Sequence, residues 1–278
     1  MADATQRGEA PLDSRRRRRF RPVPLRLLIP NLITLLALCL GLTAIRFALE
    51  NAIDWAVVAI AAAAVLDGLD GRIARALKGT SRFGAELDSL ADFVDFGVAP
   101  AIVLYVAGLQ DIRNLGWLAA LLFAIACALR LARFNVMLDD PIAAPWRANY
   151  FVGMPAPAGA IVGLLPIYLH DSLFGRDGAH GFVWLEILYV VGIAMLMASR
   201  APHFSGKSIG RVPLDWLAAV LFGVVAMVLL LAYYPMQTLA ALSLAYLASI
   251  PFSLRHYRRQ EQMEAKAAPP LRNELSPE

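Results

Sequence analysis

Long apolar runs separated by short polar connections leave this chain few ways to fold. A helix needs ~20 apolar residues to cross the hydrocarbon layer of a bilayer. Runs of about that length fall near 27–49, 53–77, 89–108, 115–134, 153–170, 182–199, 213–233 and 236–254. The expected fold is therefore all-α, a polytopic membrane helix bundle of about eight transmembrane helices. With 59% hydrophobic and 17% charged residues, the chain carries less charge than a soluble domain of its length. Its two cysteines, Cys39 and Cys127, sit inside apolar runs without a CxxC or Cys/His cluster. They read as small buried side chains rather than as a disulfide or thiolate metal site. The first apolar run begins near Leu25, is too long for a signal-peptide core and lacks a cleavage pattern.

Charge divides the chain and orients it. Residues 1–22 form a basic tail containing the unbroken block Arg15 to Arg19, and residues 259–278 form a polar tail with Pro269, Pro270 and Pro277. Both are expected to be disordered, flanking a transmembrane domain over 23–258. Cations also collect around Arg72 to Arg82, at Arg133 and Arg147, around Arg200 to Arg211, and at Arg255, Arg258 and Arg259. The connections between these clusters, such as Glu50 to Ala52 and Tyr234 to Gln237, are poorer in cations. The alternation places both termini and the intervening acidic stretch on the cytoplasmic side. Basic segments beside spans suit anionic lipid, and no aromatic-interleaved basic fold suggests nucleic acid. Trp55, Trp117, Trp184 and Trp216 near span ends read as an interfacial belt, and Pro155 with Pro157 is expected to kink the fifth span.

Within these apolar runs stand Asp67, Asp70, Asp88, Asp92 and Asp95. Intramembrane carboxylates are costly unless compensated, and they mark function. On helices, Asp67, Gly71 and Ala74 share one face with Asp70 beside them, and Asp88, Asp92 and Asp95 repeat the spacing. Two facing helices would gather four or five carboxylates, which repel unless a cation sits among them. Oxygen ligands without thiols suit Mg²⁺ or Mn²⁺, and a pair of such ions can hold a pyrophosphate. Gly71 lets a ligand approach the backbone, Arg75 offers a donor fork for phosphate, and Lys78 and Arg82 add positive charge. Asp95 reads equally as a helix-end cap or a group meeting headgroup water.

The spacing Asp67-x2-Asp70-Gly71-x2-Ala74-Arg75-x8-Gly84-x3-Asp88-x3-Asp92 resembles the signature of the CDP-alcohol phosphotransferase family at all eight fixed positions. "IPNLITLLALCLG", "LRLARFN" and "VGMPAPAGA" are similar to one branch of it, bacterial enzymes with serine as acceptor. The resemblance implies transfer of the phosphatidyl group of CDP-diacylglycerol to an alcohol, with release of CMP. It implies Asp67, Asp70, Asp88 and Asp92 as ligands of two divalent cations (Mg²⁺ or Mn²⁺), and Asp92 as general base. It implies that Asp67, Gly71, Arg75 and Ser81, with the stretch Asn31 to Thr34, hold the CDP-lipid. L-serine as acceptor, a homodimer and a place in the bacterial inner membrane follow from the same branch.

A serine acceptor needs a cation for its carboxylate, and Arg130 and Arg133, with Asn135 close by, could supply it. The competing reading for these arginines is anchoring at a span end, and for Lys207 and His203 a solvated loop. Glycerol 3-phosphate, inositol or choline remain alternative acceptors for the same chemistry. A cation-coupled transporter is the alternative of another class, opposed by the placing of the acids at one end rather than at the midplane.

Overall fold

The computed structural model describes residues 25–77, 79, 81–138, 150–173, 183–199, 202–204 and 214–267. Helices α1 (Leu25–Leu49) and α2 (Ile53–Ala76) form a hairpin. Next come α3 (Arg82–Phe93), a π-helical turn (Val94–Val98) and α4 (Ala99–Ala107), which together make one long helical stretch. A 3₁₀ turn (Leu109–Ile112) leads into α5 (Arg113–Leu138). Helices α6 (Ala156–Gly163), α7 (Leu165–Leu173), α8 (Val183–Ala198), α9 (Leu214–Tyr233) and α10 (Pro235–Ala267) complete the bundle. A three-residue antiparallel ladder joins β1 (Tyr150–Val152) to β2 (Pro202–Phe204), pairing Phe151 with His203. Among the described residues four helical stretches are long and apolar enough to cross a membrane: Leu28–Leu49, Arg82–Ala107, Leu109–Met137 and Pro235–Tyr257. Shorter apolar helices cover Ala156–Leu169, Val183–Ala198 and Ala218–Tyr233. Trp55, Trp117, Trp184 and Trp216 all stand exposed. The Arg15 to Arg19 block, Lys78, Lys207 and residues 268–278 lie outside the described residues.

Two boundaries differ from expectation for local reasons. Helix α3 begins at Arg82, not near residue 89, because the Ser81 hydroxyl caps it by accepting from the Gly84 N–H at 2.9 Å. Helix α10 runs on past its apolar part to Ala267, through a charged segment of good helix formers. The fifth span is not kinked by Pro155 and Pro157. Pro155 is the N-cap of α6 and Pro157 lies in its first turn, where a missing N–H costs nothing. The break comes instead at Leu164, because Pro166 cannot donate to the Val162 carbonyl. Tyr189 repairs the loss by donating to that carbonyl at 2.7 Å, and Tyr168 donates to Ile161 O at 3.0 Å.

Small residues let the helices meet closely. Ala44 and Ala48 of α1, with Ala56, Val57, Ala59 and Ile60 of α2, belong to the same buried cluster as Phe96 and Phe123. The tightest approach is at Gly41 of α1, which faces the π turn. A β-carbon there would run into Asp95 Oδ1 and lie 3.0 Å from Asp95 Cα. Rotation of the Asp95 side chain cannot relieve a clash with its backbone. Gly41→Ala is therefore expected to destabilise the protein by about 3 kcal/mol, the upper range for overpacking. Thermal unfolding in detergent checks this, and an unchanged midpoint would contradict the packing.

Candidate active site

Three elements build the site. Helix α1 contributes Pro30, Asn31 and Thr34; α2 contributes Asp70, Gly71, Ala74 and Arg75; the start of α3 contributes Gly84, Ala85 and Asp88. With Gly79 and Ser81 from the intervening connection they line a cavity of about 170 Å³. The residues that the resemblance assigns to the CDP-lipid, Asn31, Thr34, Gly71, Arg75 and Ser81, thus share one wall with two of the signature carboxylates. Asp67 stands outside that lining but beside it.

One carboxylate oxygen from each of Asp67, Asp70 and Asp88 lies within 4.8 Å of the others. Asp70 is 4% exposed, and its Oδ2 accepts a hydrogen bond from the Thr34 hydroxyl at 2.7 Å. Asp92, one turn beyond Asp88, is outside this group of three but in side-chain hydrogen-bond contact with Asp67. So close a set of carboxylates is held together without an ion pair among the described residues. Hard oxygen donors at this spacing fit a divalent cation such as Mg²⁺ or Mn²⁺. The Arg75 guanidinium lies over Gly71, where a β-carbon would be 3.6 Å from its nearest nitrogen. Gly71 thus keeps open the space between the Arg75 fork and the helix backbone.

Thr34 acts on a carboxylate as much as on the cavity. Thr34→Val keeps the shape and removes the hydrogen bond to Asp70. We expect about a 10-fold loss of divalent-cation affinity, typical of an outer-shell partner. Metal titration of activity checks this; an unchanged metal requirement would show that Thr34 does not orient Asp70.

The three residues considered for the acceptor separate in space. Arg130 is partly buried within electrostatic reach of Asp92, Asp67 and Tyr246 of α10, without an ion pair to either carboxylate among the described residues. Its Nε is shielded from solvent and has no hydrogen-bond partner among the described residues. Arg133 instead reaches across to α8, donating to the Ala198 carbonyl, and also donates to Leu129 O at 3.3 Å. It caps the C-terminal end of α8, where a cation is favoured. Asn135 is engaged with Ser89 of α3, its Nδ2 donating to Ser89 Oγ at 3.0 Å.

One further group has no mark in the sequence, and one reading of a marked group is corrected. Tyr246 sits in an apolar helix with nothing nearby to mark it. Asp95 neither caps a helix end nor meets headgroup water: it is 1% exposed within the π turn, and its Oδ1 has no hydrogen-bond partner among the described residues. Its spacing from Asp92 was visible; the π turn that buries it was not.

Comparison with known proteins agrees with this geometry. The family model described as CDP-alcohol phosphatidyltransferase matches residues 27–251. A protein of Mycobacterium leprae (strain TN) named CDP-diacylglycerol--serine O-phosphatidyltransferase is 44% identical over 235 residues, covering 83% of this chain and 76% of its own. Proteins of the same name from Helicobacter pylori (strain ATCC 700392 / 26695) and Methanocaldococcus jannaschii are similar at lower identity. The first is 36% identical over 179 residues, covering 64% of this chain and 73% of its own. The second is 35% identical over 184 residues, covering 64% and 76%. With Asp70 and Asp88 in the cavity wall, Asp67 grouped with them and a family match across most of its length, the chain belongs to the CDP-alcohol phosphatidyltransferase family.

Proposed function

We propose that the protein transfers the phosphatidyl group of CDP-diacylglycerol to the hydroxyl of L-serine, releasing CMP and forming phosphatidylserine. The observation that carries this reading is the single cavity whose wall joins Asp70 and Asp88 to Asn31, Thr34, Gly71, Arg75 and Ser81. The names of the relatives described above support serine as acceptor.

Each role follows from the chemistry of the side chain. Asp67, Asp70 and Asp88, with Asp92 beside Asp67, would hold two divalent cations. Bound there, the cations neutralise charge on the pyrophosphate and on the leaving CMP. Arg75 offers two parallel donors to a phosphate, and Asn31, Thr34 and Ser81 wall the CDP moiety. A serine hydroxyl does not ionise at neutral pH, so Asp92 accepts its proton as the oxygen attacks. No cysteine or histidine stands among the described residues lining the cavity, which supports direct attack over an enzyme-bound intermediate. Arg130, beside Asp92, takes the acceptor carboxylate.

The alternation of basic and less basic connections supports eight crossings, with the cavity and both termini on the cytoplasmic side of the inner membrane. The lipid donor then enters sideways from the bilayer and the soluble acceptor from water. The resemblance also implies a homodimer, and the exposed apolar residues of α9 from Trp216 to Tyr233 are open to lipid or to a second copy.

The test is CMP release from CDP-diacylglycerol by the detergent-purified protein. Release is expected to need both serine and Mn²⁺ or Mg²⁺, to stop with EDTA and to return with added metal. Release that survives complete chelation would contradict the carboxylate assignment.

A further inference from the structure

Ser89 lies between the signature residues Asp88 and Asp92, yet it faces a different helix. Asn135 Nδ2 donates to Ser89 Oγ at 3.0 Å, and Ser89 Oγ is 3.2 Å from Asn135 Oδ1. This pair joins α3 to α5 across 46 residues of chain. A second contact between the same two stretches lies deeper. A β-carbon at Gly97, in the π turn, would be 3.1 Å from Cys127 Cβ and 3.3 Å from its Sγ. Ser89 and Gly97 are eight residues apart, and so are Asn135 and Cys127. The two contacts therefore belong to one antiparallel register, polar at one end and sterically close at the other. Arg130 and Asp92 fall between them, on the two stretches so aligned.

We propose that Ser89 and Asn135 are positioning residues for the acceptor. Their hydrogen bonds, together with the Gly97–Cys127 approach, lock α3 on α5 in the register that presents Arg130 to Asp92. The proposal rests on the reading of Arg130 as the acceptor-carboxylate ligand. A slip or tilt of α5 at the polar end would move a long guanidinium away from the base while leaving the cavity wall built by α1, α2 and α3 in place. The loss would fall on the acceptor and not on the CDP-lipid. The pairing also accounts for Asn135, which spends its amide on Ser89 and so serves the acceptor without touching it.

Steady-state kinetics of the full-length protein in detergent, with Mn²⁺, CDP-diacylglycerol and serine varied separately, tests this. Ser89→Ala and Asn135→Ala should each raise the serine KM by about five- to tenfold, the effect of losing one hydrogen bond. The KM for CDP-diacylglycerol should stay within about twofold. The double variant should be no worse than either single one, because both remove the same link. Ser89→Thr, which keeps the hydroxyl, should restore the serine KM to near the wild-type value. Additive effects, or a parallel rise in both KM values, would overturn the proposal and leave the pair a general structural contact. Arg130→Gln separates the two levels. If it raises the serine KM while Ser89→Ala and Asn135→Ala do not, the positioning role fails and the Arg130 reading stands. If Arg130→Gln leaves the serine KM unchanged, the underlying reading fails and the proposal with it.

Discussion

Asp92→Asn is expected to leave the protein folded and able to bind CDP-diacylglycerol, while turnover falls by about 10²–10⁴-fold, the usual contribution of a general base. The amide has nearly the same shape but cannot accept the proton of an attacking hydroxyl. Asp92 stands outside the group formed by Asp67, Asp70 and Asp88, so cation affinity should weaken through its share in holding the cations but by less than the rate falls. The contact of Asp92 with Asp67 does not explain such a loss by itself, since an amide can donate to Asp67 in its place. Single-turnover CMP release alongside donor binding separates the two effects. Activity within about tenfold of wild type would remove Asp92 from the role of base.

Asp88→Asn should show the opposite balance. It removes one charge from three carboxylates whose oxygens lie within 4.8 Å of one another. Divalent-cation affinity should drop by at least about 100-fold, since losing a direct ligand exceeds the 10–100-fold typical of outer-shell partners. Raising the metal concentration should recover a larger part of the rate than it does for Asp92→Asn. The metal-free variant should also be more heat-stable than the metal-free wild type, because mutual repulsion is relieved. A site that is destabilising when empty and needed for activity is the expected cost of function. Metal-dependent activity together with unfolding in EDTA checks both signs. A variant with lower stability and an unchanged metal requirement would contradict the assignment of Asp88.

The apolar helices and the signature were legible because both are written in residue type and spacing. Asp67, Asp70 and Asp88 meet because α2 and α3 carry them on facing sides, which a helical repeat predicts. Arg130, Arg133 and Asn135 were not separable in sequence, since their division depends on which neighbouring helix each one meets. Arg133 finds the end of α8, Asn135 finds Ser89, and of the three only Arg130 is left within electrostatic reach of the carboxylates. The burial of Asp95 escaped for a related reason. A π turn shifts the facing of every residue after it, and Gly41 supplies the room on a helix 54 residues earlier. Pro166 shows the same limit on a smaller scale. The proline was visible, but Tyr189 donating to the freed Val162 carbonyl was not.

On the proposed reading, this cavity joins serine to the phosphatidyl group of CDP-diacylglycerol. The most direct measurement supplies purified protein, Mn²⁺ and CDP-diacylglycerol with isotopically labelled serine, glycerol 3-phosphate, inositol or choline in separate reactions. Label is expected in the lipid fraction with serine, one CMP released for each serine incorporated, and little with the other three. Label transferred from another acceptor in preference to serine would keep the chemistry of the carboxylates and contradict the assigned product, and no transfer from any acceptor would contradict the reaction itself.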